Sequence, residues 1–436
     1  MREERLRQPV TGAASTTGVL ALLIALASAA GCGGDDGRPA DPAPFPVPGC
    51  ESIDPTACDV RTTPCQMRLF AMAACLRGDQ PGELPPVTVL SEADFAAILA
   101  ADPAMTTPPP HLATWDWSLS ALRLIQPGAL APQAMIAQTK QALGIYRHDT
   151  KDILIIDHGS DFDEQGASIV VVHEMVHALQ DRAVGLSQLW STFVTSGDNS
   201  LAIRSIIEGE ARMQETRYEA SALGLDPAKV DLMRRFENAV TRDETFLFMQ
   251  PSVLTASSIT FPYEWGARYV YFRWTAQGMN GVQALFQSPP VTTRVLMASV
   301  DQAVDPEAAP APPDLPAPPA DWVAAGTDTM GAWSLFLALE ESATGTTVSE
   351  LQNLALQWQA DRLGIYEHSA GATAFAWRIN LANEATAARV LALLQPGLPT
   401  ISFPAGNLGR GRGRKRPAAG RLGLRPLTVR PTGQSR

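Results

Sequence analysis

The segment Ala167–Arg182 (ASIVVVHEMVHALQDR) constrains the fold more than any other part of the chain. It contains His173-Glu174-Met175-Val176-His177, an H-E-x-x-H pattern. On an α-helix, residues four positions apart lie on one face, so both imidazoles can converge on one metal ion. The apolar run before the motif predicts that the helix is buried, and buried imidazoles need polar partners. The alternative is a surface helix that carries two histidines by chance.

The residue types in this motif indicate a zinc ion with a base beside it. Two neutral imidazole nitrogens suit zinc, and a third protein ligand would leave one coordination position open for water. Glu174 is one step round the helix from His173, where its carboxylate would hold that water and accept its proton. The sequence therefore predicts a Zn²⁺ cofactor bound by His173 and His177, with Glu174 as the catalytic residue.

Two glutamates downstream compete for the place of the third ligand. Glu208 and Glu210 lie in a predicted helix and are two positions apart, so only one of them can face the metal. Glu210 falls on the apolar stripe of that helix, whereas Glu208 shares a smaller and more polar face. Gly209, between them, costs about 1 kcal/mol inside a helix. Close packing beside the active-site helix would explain why a glycine is tolerated there. Helical phase alone leaves the choice between Glu208 and Glu210 open.

The N-terminal residues predict export. Arg2, Arg5 and Arg7 precede the apolar run Val19–Ala30, which is short for a membrane span. The run ends at Ala29-Ala30-Gly31-Cys32, which resembles a bacterial lipobox with Cys32 as the lipidated residue. Because Ala29 stands where the lipobox usually has Leu, cleavage by an ordinary signal peptidase is the alternative. We expect a bacterial lipoprotein anchored to the surface of the outer membrane, or else a secreted protein.

Four further cysteines lie within a short segment: Cys50, Cys58, Cys65 and Cys75. An even number of cysteines, clustered in an exported segment, predicts two disulfides. A four-cysteine zinc site is the alternative, but the spacings lack the C-x-x-C pairs that such sites favour. All three disulfide connectivities remain open.

Residue patterns along the chain predict both strands and helices. A strand at Val87–Leu90 leads to a helix capped by Ser91, and a β-hairpin pairs Gly144–Tyr146 with Ile153–Ile156. Besides the motif helix, the predicted helices are Ala131–Leu143, Leu201–Leu223, Phe261–Gly278, Trp333–Glu341, Val348–Leu356 and Glu384–Leu394, with a strand at Thr373–Ile379.

Composition divides the chain into segments. The predicted order is a signal peptide (1–31), a Pro/Gly-rich tether (32–49), the Cys-rich region (50–86), the H-E-x-x-H domain (87–304), a Pro-rich linker (305–322), an α-rich C-terminal part of the same module (323–403) and a basic tail (404–436). The tail is predicted to be disordered, and a contact with a membrane surface or polyanion is a further possibility. The net charge of −11 includes this basic tail, so the body is strongly acidic. An acidic body argues against a nucleic-acid partner.

Several motifs together carry a resemblance to a known family. His173–Asp181 (HEMVHALQD) followed by Glu208–Ala211 (EGEA) resembles an uncharacterised bacterial family of zincin-type, gluzincin-like predicted metallopeptidases. Further similarity is found at Gly144–Asp157, Phe261–Tyr271 (FPYEWGARYVY), Pro289–Thr293 and Trp358–Tyr366 (WQADRLGIY), so the resemblance covers about Val87 to Leu394. At Thr292–Met297 the chain lacks the family's Glu and His, which bears on substrate preference if this segment lines the cleft.

The resemblance implies an α+β fold, in which a zincin-like metallopeptidase domain has a small sheet and an active-site helix, and the C-terminal half is mainly helical. It implies zinc ligation by His173, His177 and Glu208, with Glu174 as general base. Asp181 is expected either to orient an imidazole or to lie on the exposed helix face. Candidates for stabilising the oxyanion are Tyr218, Tyr263 and His158.

The expected reaction is hydrolysis of a peptide or protein substrate by zinc-activated water. One alternative is a catalytically inactive zinc-binding surface lipoprotein that acts as a scaffold or binding module. Another is a zinc hydrolase that acts on a different amide, such as one in the cell wall. Intact Glu174 argues against the inactive alternative, because a structural zinc site has no use for a base.

Overall fold

The computed structural model describes residues 46–101, 111–126, 142–159, 162–226, 229–247, 252–298, 311–315, 317–395 and 428–431. These residues form an α+β fold that is mostly helical, with two small sheets. The helices are α1 (Thr63–Arg77), α2 (Glu92–Ala101), α3 (Leu112–Ala121), α4 (Glu164–Val184), α5 (Leu186–Phe193), α6 (Gly197–Ala222), α7 (Leu232–Leu247), α8 (Val253–Gln287), α9 (Thr293–Met297), α10 (Gly331–Ser342), α11 (Val348–Leu356) and α12 (Glu384–Leu394). The strands are β1 (Val87–Ser91), β2 (Gly144–Arg147), β3 (Asp152–Asp157), β4 (Trp322–Asp328), β5 (Trp358–His368), β6 (Thr373–Leu381) and β7 (Thr428–Pro431).

The first sheet has the order β1-β3-β2 and leads into the motif helix. β1 is parallel to β3, with Val87 opposite Ile153, and β2 and β3 form the predicted antiparallel hairpin. The predicted cap of α2 is confirmed, because the hydroxyl of Ser91 accepts a hydrogen bond from the backbone N–H of Asp94 at 3.2 Å. β3 is buried at the centre of this sheet, and β2 forms one edge.

Helix α6 lies between two hydrophobic cores. One core joins α4, α1 and the first sheet, and Ala211 and Tyr218 of α6 belong to it. The other core surrounds α8 and α10, where Trp265 and Trp333 pack with ring centroids 4.8 Å apart, and Ile206 of α6 belongs to it. Because α6 is buried on both sides, its position relative to α4 and α8 is determined by packing on each.

The Cys-rich region contains a helix that the sequence did not predict. α1 packs against α4, and it is buried on several faces, so it shows little amphipathic periodicity. Both predicted disulfides form: Cys50 pairs with Cys75, and Cys58 pairs with Cys65. Cys65 and Cys75 both lie in α1, so each bond ties this helix to the segment before it.

The C-terminal part is not as predominantly helical as predicted. It holds a second sheet with the order β4-β5-β6-β7, alongside α10, α11 and α12. The sequence analysis missed β4 because its Ala-Ala-Gly centre has low β-propensity and follows a Pro-rich stretch. The basic tail was predicted to be disordered, but Thr428–Pro431 pairs with β6 in parallel. A strand at a sheet edge needs only backbone hydrogen bonds, which composition does not reveal.

Several predicted features lie wholly or largely outside the described residues. These are the signal peptide, Cys32 and most of the Pro/Gly-rich tether, residues 131–141 of the predicted helix before β2, and most of the basic tail. Among the residues that are described, no helix has both the length and the apolar character needed to cross a membrane.

Candidate metal centre

Helix α4 presents the H-E-x-x-H residues from a buried position. Asp163 caps its first turn by accepting a hydrogen bond from Gly166, and Gly185 ends it with a left-handed conformation. His173, Glu174 and His177 are each less than one-tenth exposed. The Nε2 atoms of the two histidines lie 3.1 Å apart, so the helical spacing brings both imidazoles to one point, as predicted.

Glu208 of α6 completes a set of three groups. Its Oε2 lies 3.4 Å from His173 Nε2 and 3.2 Å from His177 Nε2. A tetrahedral zinc ion with ligand bonds of about 2.0–2.1 Å separates its ligand atoms by about 3.3–3.4 Å. The three side chains therefore have the chemistry and spacing of a zinc site, and they form the single cluster of metal-ligating groups found among the described residues.

The other ring nitrogens have partners that orient both imidazoles. His173 donates from Nδ1 to Glu215 at 2.8 Å, and His177 donates from Nδ1 to Gln180 Oε1 at 2.8 Å. In the neutral form of each ring, the form that binds a metal, Nε2 is therefore the atom that carries the lone pair, and it faces Glu208. Sequence analysis missed both partners, although Glu215 lies two helical turns after Glu208 on the same face, and Gln180 lies one turn after His177.

Glu208 is itself held by neighbours from α6 and α8. Arg204 lies one turn earlier, with Nε 3.4 Å from Glu208 Oε1, and its Nη1 donates to the carbonyl of Ser258 at 3.1 Å. That carbonyl lies four residues before Pro262, which has no N–H to occupy it within α8. A proline inside a helix thus provides the acceptor that holds Arg204 beside Glu208.

Tyr263 is the one oxyanion candidate that reaches the site. Its ring stacks on His173 with centroids 5.5 Å apart, and burial together with Glu208 raises the pKa of its hydroxyl. Tyr218 is instead buried in the core beside α1, and His158 contacts Glu92 and the carbonyl of Ala142. The stacked ring of Tyr263 fixes the plane of the His173 imidazole.

Glu174 lies against the edge strand β2. A side chain at Gly144 would come within 2.9 Å of Glu174 Oε1, so only glycine allows the strand to approach this closely. The backbone N–H of Tyr146 donates to the Glu174 carboxylate, although burial raises the pKa of that carboxyl overall. The Glu174 carboxylate, predicted to be the base, is therefore buried, oriented by β2 and directly beside the two histidines.

The electrostatics of the site favour a positive charge at the imidazoles. Burial opposes the charged form of His173, but hydrogen bonds to Glu208 and Glu215 raise its pKa to about 10. Burial acts to raise the pKa of Glu208, but the neighbouring His177 and His173 bring it well below its usual range. A group of carboxylates that stabilises a proton at this point would also stabilise a metal cation.

Glu210 faces away from the cluster. It is fully buried and accepts hydrogen bonds from Arg77 Nε at 2.8 Å and from Gln180 Nε2 at 2.9 Å.

Asp181 neither orients an imidazole nor lies on the exposed helix face, the two roles expected for it. It is buried and accepts hydrogen bonds from Tyr146 and the backbone of Leu186 rather than from an imidazole.

The segment Thr292–Met297 does not reach the cluster of His173, His177 and Glu208. Thr293 bonds to Asp198 at the start of α6, which is about 15 Å along the helix from Glu208. Val295 and Leu296 are fully buried in the core. The difference from the family pattern therefore lies in the core rather than beside the three converging side chains.

Comparisons with protein families, with curated proteins and with solved structures find no match to this chain. The functional interpretation depends on the arrangement of its own side chains.

Proposed function

We propose that the protein is a zinc-dependent hydrolase of the zincin type, most simply a metallopeptidase. The observation that carries this proposal is the convergence of His173, His177 and Glu208 within the spacing of a tetrahedral site, with Glu174 adjacent. His173, His177 and Glu208 would hold the ion. When bound, zinc would lower the pKa of a coordinated water and polarise the carbonyl of the scissile bond.

The remaining chemistry belongs to residues of the chain. Glu174 accepts the proton of the attacking water and passes it to the leaving amine. The hydrogen bond from Tyr146 N–H and the contact with Gly144 hold the carboxylate in place for both transfers. Glu215 and Gln180 keep each imidazole in the tautomer that presents Nε2.

The edge strand β2 supports a peptide as the substrate. The carbonyls of Leu143 and Arg147 bond toward β3 and the hairpin turn, so the alternate residues Gly144 and Tyr146 direct their backbone groups outward. No strand pairs with that outer edge among the described residues. A peptide chain can add to this edge beside Glu174 by main-chain hydrogen bonds to Gly144 and to the carbonyl of Tyr146, since the N–H of Tyr146 already bonds to Glu174, and such bonds suit any sequence.

The compartment remains a prediction that the disulfides support. Cys50–Cys75 and Cys58–Cys65 belong to the body that carries the site, and such bonds persist outside the cytoplasm. Anchoring through Cys32 stays a proposal, which mass analysis of the purified membrane fraction would test directly.

The test compares metal content and cleavage in wild type, Glu174→Gln and His177→Ala. We expect about one zinc per chain in wild type and Glu174→Gln, little in His177→Ala, and cleavage of a broad peptide library by wild type alone. Zinc without cleavage by wild type would favour the inactive binding protein or an amide substrate of another kind. Absence of zinc from the wild-type chain would reject the site itself.

A further inference from the structure

A chain of buried polar contacts connects the disulfide-bonded helix α1 to His177. Arg77, in the last turn of α1, bonds through Nε to Glu210 Oε1 at 2.8 Å and through Nη2 to Oε2 at 3.5 Å. Glu210 Oε2 accepts from Gln180 Nε2 at 2.9 Å, and Gln180 Oε1 accepts from His177 Nδ1 at 2.8 Å. Arg77 is 3% exposed, and Glu210 and Gln180 are 0% exposed, so water does not replace these partners.

The partners of Gln180 determine which way its amide points. The Nε2 group donates both to Glu210 and to the carbonyl of Ile207 at 2.9 Å, and each of those groups can only accept. The amide oxygen must therefore face His177, and Nδ1 of His177 must carry the proton. This orientation leaves Nε2 of His177 free toward Glu208 and His173, as metal binding requires.

Glu210 can hold Gln180 in this way only while its charge is balanced. Arg77 supplies the one cationic group that bonds to it among the described residues. Without Arg77, the Glu210 carboxylate would lose the two hydrogen bonds that hold it, and a buried carboxylate without a cationic partner would rearrange. A displaced carboxylate no longer accepts from Gln180 in the same place, so Gln180 and the His177 imidazole would shift with it.

Helix α1 is held in place covalently. Cys75 lies two residues before Arg77 and pairs with Cys50, and Cys65 near the start of α1 pairs with Cys58. α1 also packs its apolar side chains on α4, the helix that carries His177. The position of the Arg77 guanidinium therefore depends on the Cys-rich region.

We propose that Arg77, Glu210 and Gln180 form a buried relay that positions His177 for zinc, so that the disulfide-bonded region is a structural part of the metal centre. This inference rests on the proposed function, because it concerns the affinity of the same site. None of the three is a catalytic residue; each acts through the next.

The experiment measures zinc affinity by competition with a chromophoric chelator, using the full oxidised chain. Arg77→Met is compared with Arg68→Met, since Arg68 lies on the same helix but bonds to Asp54 and the carbonyl of Thr56 rather than to Glu210. We expect Arg77→Met to raise the zinc Kd by about 10- to 100-fold and Arg68→Met to leave it unchanged. The visible spectrum of the cobalt(II)-loaded protein should change in Arg77→Met alone, because only there does a ligand imidazole move.

A double variant separates positioning from simple loss of stability. In Arg77→Met/Glu210→Gln both charges of the buried pair are removed, while Asp79, the other partner of Arg77, is partly exposed to water. The amide oxygen introduced at position 210 can still accept from Gln180. We expect its zinc Kd and cobalt spectrum to return most of the way to wild type. If Arg77→Met does not fold, Gln180→Leu is measured instead. We expect it to show the same increase in zinc Kd and the same change in the cobalt spectrum.

The outcomes distinguish the relay from the site. A wild-type chain that binds zinc, with a folded Arg77→Met chain that binds it within twofold of Arg68→Met, overturns the relay alone. A double variant that binds zinc as weakly as Arg77→Met also overturns the relay. A wild-type chain that binds no zinc rejects the proposed metal site, and the relay with it.

Discussion

Replacing Gly209 by Ala tests how α6 is positioned, because two physical effects predict opposite signs for the change in the free energy of unfolding. Gly209 lies between Glu208 and Glu210, and the sequence suggested that it allows close packing beside the active-site helix. Close packing is present, but the neighbour is α8: a Cβ at Gly209 would lie 2.6 Å from the carbonyl oxygen of Gly266 and 2.8 Å from the nitrogen of Ala267.

The expected magnitude follows from these contacts. In a helix interior, Ala is favoured over Gly by about 1 kcal/mol, so propensity alone predicts a more stable protein. An added methyl group in a well-packed core costs about 1–3 kcal/mol, and backbone neighbours cannot rotate aside as a side chain can. We take the upper value of the packing cost and subtract the gain in helix propensity. Gly209→Ala should therefore lower the free energy of unfolding by about 2 kcal/mol.

The assay is urea unfolding followed by circular dichroism, with a metal chelator present so that zinc binding does not add to stability. The control is Gly266→Ala, whose Cβ would lie 2.9 Å from the carbonyl carbon of Ser205 across the same contact. It should destabilise the protein similarly, and the two changes should not add. A Gly209→Ala protein as stable as wild type, or more so, would refute the close approach of α6 and α8.

Three further predictions concern the rest of the body. Replacing Cys50 and Cys75 together by Ala should lower the free energy of unfolding by about 3.5 kcal/mol, since the bond closes a separation of 25 residues; an unchanged urea midpoint would contradict this. Burial raises the pKa of Asp198 to about 7. Between pH of about 4 and 7 this carboxyl is therefore protonated in the folded chain and ionised in the unfolded chain. The free energy of unfolding should therefore fall as pH rises through this range, and less steeply in Asp198→Asn; equal slopes would refute the assignment. Asp361 accepts from two tryptophan indoles and two backbone N–H groups, so Asp361→Ala should cost at least about 3 kcal/mol in unfolding experiments, whereas a loss under about 1 kcal/mol would show that these donors find other partners.

Much of the local structure could be predicted because its causes are local. The hairpin of β2 and β3 follows from alternating residues around a short turn, and α12 begins and ends at the predicted residues. The helix predicted over Phe261–Gly278 runs on to Gln287, but Gly278 does interrupt its regular geometry with a φ of 61°. Elements buried on many sides, such as α1, were missed because they carry no periodic contrast between apolar and polar residues.

The sequence by itself determined that His173, Glu174 and His177 lie together, because a spacing of four on one helix is enough to bring the two histidines to one face with Glu174 between them. Helical phase could not choose between Glu208 and Glu210, and only the family resemblance favoured Glu208. Tertiary structure decided that choice by the rotation of α6, which turns Glu208 toward the histidines and Glu210 toward Arg77. That rotation depends on packing against two cores and on an ion pair between residues 133 positions apart, and no local pattern records such contacts.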